Sequence, residues 1–240
     1  MKMFEEPPAE ISHDAHPAHK LKLVTATGGP PFRCDGCKEP GSGKGRRYRC
    51  RDGCDFDLHT CCALTEPTLK HPLLGDLEFR FVPEAAPPPA AVDAAPVCNA
   101  CGERACGFVY RCSKKDLNLH PCCAALKMEM FLHDEHHVQL CVEAKHRCVI
   151  CGDKGHRFFS SRKLWAYQWC YDGKQGYLHV ACMKKIAVQS WDWEQAYQDG
   201  SVLEASVPIM KGMLRAASSG LELSFRGLEV GASIAQAISQ

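Results

Sequence analysis

Short runs of alternating apolar and polar residues recur along most of the chain. Residues 55–58 and 116–119 alternate in this way, which is typical of a strand with one buried face. Aromatic and β-branched residues are concentrated in 47–49, 108–111 and 165–169, and each of these segments is predicted to be a further strand. The pattern therefore predicts several small strand-rich units.

A short helix is predicted after each pair of strands, over 62–64, 123–128 and 182–188. The third helix extends along a longer apolar face, formed by Met183, Ile186, Ser190, Trp193 and Tyr197. Beyond it, residues 199–240 have scattered apolar positions and no metal-binding residue types in a recognisable spacing. We interpret this segment as a loosely docked tail, with a partner-binding helix as the alternative.

The chain contains an internal repeat, because three Cys-x2-Cys pairs are each followed by a Leu-His-x2-Cys element. The pairs are Cys34/Cys37, Cys98/Cys101 and Cys148/Cys151. The downstream elements contribute His59/Cys62, His120/Cys123 and His179/Cys182. A further cysteine precedes each of these histidines by eight or nine residues, namely Cys50, Cys112 and Cys170.

Composition favours metal sites over disulfides as the explanation of this repeat. The chain has 17 Cys and 12 His in 240 residues, while its charges nearly cancel at a formal +1, which excludes bulk attraction to a polyanion. It shows neither a signal-peptide pattern nor an apolar run long enough to span a bilayer. We therefore expect an intracellular protein, in the cytoplasm or nucleus, where thiols stay reduced and bind zinc.

The first repeat has enough ligands for two tetrahedral zinc sites. The eight candidates are His19, Cys34, Cys37, Cys50, Cys54, His59, Cys62 and His71. Sequential pairing is possible, but an interleaved pairing ties the chain ends to the middle and is preferred. It places Cys34, Cys37, His59 and Cys62 in one site and His19, Cys50, Cys54 and His71 in the other. Four protein ligands leave no position for a substrate water.

The order of these ligands resembles the phorbol-ester/diacylglycerol-binding zinc domain of protein kinase C, called the C-one domain. It is more similar to the divergent C-one family of plant cysteine/histidine-rich proteins. The residues that carry the resemblance are the His19–Leu23 segment, Cys34-Asp35-Gly36-Cys37, Tyr48-Arg49-Cys50, the segment from Cys54 to Cys62, and His71 as the closing ligand. The resemblance implies interleaved pairing, a small β-rich fold with a terminal helix, and zinc-dependent interactions in signalling.

The second and third repeats depart from this pattern at one ligand. Lys115 and Lys174 occupy the position that Cys54 holds in the first repeat. Their second sites would retain only Cys112 with His133, and His136 with Cys170, and two ligands rarely hold structural zinc. We therefore expect four zinc ions, distributed two, one and one among the repeats. An ammonium group filling some of the vacated space is a further possibility.

The predicted organisation is three tandem α+β zinc modules. It comprises a flexible N-terminus (1–15), a complete module with two sites (16–75), a Pro/Ala-rich linker (76–97), two single-site modules (98–135 and 136–198), and the tail (199–240). The short connection between the second and third modules favours their packing together, whereas the linker is expected to separate the first from the second.

Several cysteines and histidines have alternative interpretations. His13 or His16 could replace His19 as the entry ligand, and Cys61 or Cys122 could replace the neighbouring ligand cysteine in another register. Otherwise the leftover thiols, Cys61, Cys106, Cys122 and Cys141, are interpreted as small buried side chains. His137, His146 and His156 are interpreted as solvated.

The functional expectation is a non-catalytic zinc protein that binds a protein or a small signalling ligand. One alternative is peripheral binding to anionic lipid, although the loop around Gly41–Gly45 has no apolar tip for deep insertion. Another is weak nucleic-acid binding through a basic cluster made of Lys44, Arg46, Arg47, Arg49 and Arg51. An enzyme is not expected, because no RING, redox-fold or triad pattern is present.

Overall fold

The computed structural model of the protein describes residues 6–84, 96–132, 136–154, 163–171 and 174–188. Its strands form three four-stranded antiparallel sheets and one two-stranded ladder, and its helices are short. The predicted fold class is confirmed: the chain is built from small α+β modules in which short strands surround Cys/His clusters arranged for zinc binding.

The first module contains one of the four-stranded sheets. Its elements are β1 (Glu10–Ile11), β2 (Leu21–Thr27), β3 (Phe32–Arg33), β4 (Pro40–Gly41), β5 (Lys44–Cys50), β6 (Asp57–His59) and α1 (Thr60–Ala63). The sheet order is β1-β2-β5-β6, while β3 and β4 pair with each other around the Cys-x2-Cys turn. Alternation along the strands brings Leu21, Tyr48 and Leu58, all 0% exposed, to one face.

The sequence predicts a flexible N-terminus up to residue 15, but the structure shows that part of this segment belongs to the sheet. β1 pairs with β2, so that Glu10 and Ile11 lie opposite Lys22 and Leu21. The Tyr48 hydroxyl also donates a hydrogen bond of 2.6 Å to the Pro8 carbonyl. The two-residue strand β1 is too short for a periodicity signal to reveal it.

The second module begins before the predicted linker. Its elements are β7 (Thr68–Lys70), a 3-10 turn (Pro72–Leu74), β8 (Glu78–Val82), β9 (Val109–Cys112), β10 (Leu117–Leu119) and α2 (Pro121–Ala124). The sheet order is β7-β8-β9-β10, and Phe81 lies opposite Tyr110.

This topology corrects the boundary at residue 75 and the linker assigned to 76–97. Residues 78–82 are an inner strand of the second sheet, so the Pro/Ala-rich segment connects two parts of the same module. Its central part, 85–95, lies outside the described residues. The Glu-Phe-Arg-Phe-Val alternation of β8 is the signal that reveals the strand, but the composition change next to it masks the pattern.

The third module has the same plan. Its elements are β11 (Glu129–Leu132), β12 (His136–Cys141), β13 (Ala166–Tyr171), β14 (Lys174–His179) and a helix α3 over residues 180–188. The sheet order is β11-β12-β13-β14, so the module starts at β11 and not at the predicted residue 136. The predicted extension of α3 to Tyr197 and the tail 199–240 lie outside the described residues.

The three sheets repeat one topology: a first long strand, the Cys-x2-Cys turn, a hairpin, and then a helix. The helix begins directly after the repeat histidine, two residues earlier than predicted in each module. His59 and His120 occupy the N-cap positions of α1 and α2 with extended backbone angles. The histidine therefore ends the strand and starts the helix, which fixes its ring beside the following cysteine.

The modules pack against one another. Modules two and three share a core that includes Phe79, Trp165, Tyr167 and Met183, in agreement with their short connection. Module one also contacts module two, where Phe108 enters its core and donates a backbone hydrogen bond of 2.9 Å to Gly36. Gly107 is required at this contact, because a Cβ there would lie 2.0 Å from the Gly36 carbonyl oxygen. The linker-based expectation of a separate first module is therefore wrong.

Candidate metal centres

Each Cys-x2-Cys pair is folded into the same tight turn. In module one the Cys34 N–H donates to the Glu39 carbonyl at 3.0 Å and the Lys38 N–H donates to the Cys34 carbonyl at 2.9 Å. The turn recurs at Cys98 and Cys148 with equivalent hydrogen bonds of 2.8–2.9 Å. The residue after the second cysteine, Lys38, Gly102 or Gly152, has a φ of 63–75°. The left-handed residue closes the turn and brings both thiols to one side.

The turn places the two thiols next to the repeat histidine and its following cysteine. The Nδ1 atoms of His59, His120 and His179 lie 3.4 Å from the sulfurs of Cys37, Cys101 and Cys151. The same nitrogen atoms lie 3.9–4.0 Å from the sulfurs of Cys62, Cys123 and Cys182. Tetrahedral zinc with bonds of about 2.0 Å to nitrogen and 2.3 Å to sulfur needs edges of roughly 3.5–4 Å.

These distances define three knuckle centres, each with three sulfurs and one nitrogen whose donor atoms all lie within 4.8 Å of one another. Their members are Cys34, Cys37, His59 and Cys62; Cys98, Cys101, His120 and Cys123; and Cys148, Cys151, His179 and Cys182. In module one the structure thus brings Cys34 and Cys37 to His59 and Cys62, as interleaved pairing predicts. Cys50 and Cys54 lie in a different group.

Module one has a second centre, made of His16, His19, Cys50 and Cys54. The His19 Nδ1 atom lies 3.3 Å from the Cys54 sulfur and 3.8 Å from the Cys50 sulfur. The His16 Nε2 atom is buried and, within the described part of the chain, has no hydrogen-bond partner. A buried nitrogen in this state is costly unless it binds something, so a metal ion at this centre fits the residues present.

His71 does not close this centre, which corrects the assignment made from spacing. Its ring is 2% exposed and packs against Trp165 of module three with 4.6 Å between centroids. Its Nδ1 atom accepts a hydrogen bond of 3.2 Å from the Leu73 N–H. Burial lowers the pKa of His71 to about 4, so the ring is neutral at pH 7. His71 is therefore a core and capping residue of module two, and His16 supplies the fourth donor.

Spacing indicates the wrong ligand because His71 follows module one directly in the chain, although it lies between β7 and β8, two strands of module two. His16, in turn, was recognised only as an alternative to His19, whereas the structure brings both to one centre. The stacking of His16 on Phe56, at 4.5 Å between centroids, is a long-range contact that spacing does not encode.

The degenerate second sites are only partly described. In module two Cys112 is buried, whereas Lys115 is exposed, so its ammonium group does not fill the space of the lost ligand. His133 lies outside the described residues, and so do the side chains of His136, Cys170 and Lys174. His137 and His146 are exposed, as predicted, although His137 lies 3.4 Å from Glu129 and His146 packs on Tyr177. His156 is outside the described part.

In each knuckle centre the pKa of one cysteine, namely Cys37, Cys98 or Cys148, lies below its usual value because neighbouring thiols donate hydrogen bonds to it. Hydrogen bonds from the Cys151 and Cys182 thiols lower the pKa of Cys148 to about 3, in opposition to its burial. Burial lowers the pKa of His120, but hydrogen bonds with Cys101 and Cys98 outweigh this effect and raise it to about 12. Each cluster therefore holds thiolate and favours positive charge at its middle, which a divalent cation supplies.

The metal centre of module two contacts an ion pair formed by Lys184 of module three and Glu39 of module one. Lys184, on α3, pairs with Glu39 of module one, and its Nζ atom lies 3.7 Å from the Cys101 sulfur. The same carboxylate oxygen lies 3.5 Å from His120 Nδ1. Burial lowers the pKa of Lys184, but Cys123, Cys101 and Glu39 raise it well above its usual value. Lys184 therefore stays charged and offsets negative charge where all three modules meet.

The two interpretations of the second centre in module one predict different metal contents. His16→Ala removes a donor, so the zinc-reconstituted chain should lose one zinc ion in native mass spectrometry. His71→Ala should leave the zinc count unchanged and lower the free energy of unfolding by about 1–3 kcal/mol, through lost packing and capping. Loss of a zinc ion only in His71→Ala would contradict this assignment.

Lys184 offers a second test, with a matched control one residue away. Lys184→Met leaves Glu39 beside the thiolates without a cation and should lower the free energy of unfolding by about 2–3 kcal/mol. Lys185 is exposed on the same helix, and Lys185→Met should change it by less than about 0.5 kcal/mol. Urea unfolding of both variants provides the comparison. Equal urea midpoints for the two variants would show that the Lys184 contact does not hold the modules together.

Comparisons with known proteins agree with the geometry of module one. Residues 14–63 match the sequence profile of the C1 domain family. A probable nucleoredoxin 1 from Arabidopsis thaliana is 43% identical over 61 residues, which are 25% of this chain and 10% of that protein. The chain thus matches about a tenth of the length of this relative. No solved structure matches the chain. The matched segment holds both centres of module one, and residues 14–63 are therefore similar to a C1-type cysteine/histidine-rich domain.

Proposed function

We propose that the protein is a non-catalytic zinc scaffold that binds a polypeptide partner through module one, in an intracellular signalling role. The observation that carries the proposal is the arrangement of the described Cys/His donors in four closed groups of four. Such groups stabilise the fold, and the protein surface between them is available to bind a partner.

Zinc is the metal that fits these donors best. Thiolate and imidazole are soft or borderline ligands, and Cys3His and Cys2His2 sets in tetrahedral arrangement are typical of structural zinc. Three groups are of the first kind and the group of His16, His19, Cys50 and Cys54 is of the second. The proposal is four zinc ions per chain, two in module one and one in each of the others.

The coordination supports a non-catalytic role. Catalytic zinc keeps three protein ligands and an open position for water, whereas each of these groups offers at least four donors. In modules one and two the knuckle donors are buried or half-buried, so substrate would have little access to the metal.

A groove on module one is the proposed recognition surface. It has a volume of about 470 Å³ and combines four basic side chains, three carboxylates and a short apolar wall. The lining residues are Arg33, Lys38, Arg47, Arg49, Asp35, Asp55, Asp57 and the wall Pro30–Phe32. Arg47 lies over the Phe32 ring at 4.8 Å and pairs with buried Asp57 at 3.0 Å, so this side of the groove is preorganised.

The charge pattern of the groove favours a polypeptide over a phosphate-bearing partner. Within the basic cluster, Arg47 pairs with Asp57 and Arg49 lies 3.7 Å from Asp55, which is 97% exposed. These carboxylates repel phosphates and neutralise part of the positive charge. A peptide with mixed charges and an apolar or aromatic side chain matches the groove better.

Lipid insertion has little support from the surface of the described residues. Among them, the large hydrophobic side chains that are exposed are Leu64 and Val142, which lie on different modules. None of the described helices is long and apolar enough to cross a bilayer. A surface of this kind has no apolar patch of the size that membrane docking needs.

A peptide-display selection on the zinc-loaded chain tests the proposal. Selected peptides should lose about tenfold or more in affinity for Arg33→Glu, since Arg33 is an exposed groove residue. Arg80→Glu, an exposed charge reversal on β8 outside the groove, should bind them normally. Anionic vesicles and oligonucleotides serve as parallel probes in a salt series. Binding of either probe that depends on Arg33, without any groove-dependent peptide, would contradict the proposal.

A further inference from the structure

Two cysteines outside the four-donor centres face each other across the contact between modules one and two. With Cys62, a ligand of the module-one knuckle centre, they form a further group of three sulfurs. Cys61 lies on α1 and Cys122 on α2, each directly before a ligand cysteine, and the two helices are in contact. Their sulfur atoms are 3.0 Å apart, although the residues are 61 positions apart in the chain. The equivalent position in module three is Ala181, so the pair belongs to this one contact.

The surroundings of the pair allow it to react. Both side chains are half-buried, unlike Cys62 and Cys123 beside them, which are fully buried. As whole residues, Cys61 and Cys122 therefore keep some solvent-exposed surface, whereas the ligand cysteines next to them keep almost none. A disulfide needs its sulfurs at about 2.05 Å, so they must approach by roughly 1 Å.

Cys122 also borders the knuckle centre of module one. Its sulfur lies 3.4 Å from His59 Nδ1, the same distance as the sulfur of the ligand Cys37. Five donors thus surround a position where tetrahedral zinc takes four, and one must remain outside the coordination shell. The chain segment of module one itself provides Cys34, Cys37, His59 and Cys62. This leaves Cys122 as the surplus donor, with the Cys61 sulfur 3.0 Å away as a thiol partner that is not itself a ligand of this centre.

We propose that Cys61 and Cys122 form a dithiol that a low-molecular-weight disulfide oxidises to a disulfide bond between modules one and two. One protein thiolate attacks a sulfur of the small disulfide, forming a mixed disulfide and releasing one small thiolate. The second protein thiolate then attacks the protein sulfur of the mixed disulfide and releases the other small thiolate. Overall, two protein thiols and one small disulfide become one protein disulfide and two small thiols.

The consequence of oxidation is mechanical and leaves the metal in place. The new bond fixes α1 against α2 and removes the Cys122 sulfur from competition for the module-one centre. It therefore locks the relative position of the two modules without consuming a ligand. Reduction by a dithiol reagent reverses the process, so the pair is a reversible modification site.

Oxidation of the full zinc-loaded chain by glutathione disulfide tests the proposal. After alkylation and digestion, peptide mass spectrometry should find Cys61 linked to Cys122, and native mass spectrometry should find the zinc count unchanged. Dithiothreitol should remove the link. Cys106 is exposed, and a Cys106→Ser variant should form the Cys61–Cys122 link at the rate of the unmodified chain.

Single variants separate the proposed role from a ligand role. Cys61→Ser and Cys122→Ser should both abolish the link, keep the full zinc count, and accumulate the mixed disulfide on the remaining thiol. Loss of one zinc ion from Cys122→Ser would overturn the proposal, because Cys122 would then be a ligand. It would equally be overturned if links through Cys106 or Cys141 form as fast as the Cys61–Cys122 link, since proximity would then confer no advantage.

Discussion

The convergence of four donor side chains at each metal centre is the constraint on which the rest of this structure depends. The core of module one contains few large side chains, among them Leu21, Tyr48 and Leu58. Apolar burial on this scale, at roughly 25 cal/mol per Å², hardly offsets the conformational entropy of about 60 residues. Cross-links through a metal supply the missing free energy. The positions of the strands are those that bring the four donors of each centre together.

The same centres also organise the contacts between modules. The thiolates of module two attract Lys184 from α3, and Lys184 in turn pairs with Glu39 next to the Cys-x2-Cys turn of module one. A backbone hydrogen bond from Phe108 to Gly36 also joins modules two and one, and one from Trp165 to Ala100 joins modules three and two. The three repeats are therefore packed together, and the knuckle centres of modules one and two lie where modules meet.

Local sequence features predicted the repeated part of each module well. The Cys-x2-Cys turn, the hairpin and the His-x2-Cys helix start all depend on residues a few positions apart, and their spacing fixes the donors. The errors arise where a residue's role depends on distant chain segments. His71 packs on Trp165, β8 pairs with β9 across the Pro/Ala-rich segment, and Cys61 meets Cys122 on another module. Neither periodicity nor spacing contains these long-range contacts.

The most direct test of the central claim is removal of the metal from the full chain. Hydrogen exchange and far-ultraviolet circular dichroism, recorded before and after excess chelator under reducing conditions, report on all three sheets. If the metal ties replace a hydrophobic core, backbone amides in β2, β5, β8, β9, β12 and β13 should lose protection, and added zinc should restore it. Retention of the native circular dichroism and of amide protection in excess chelator would show that apolar packing alone holds the modules, and would contradict the account.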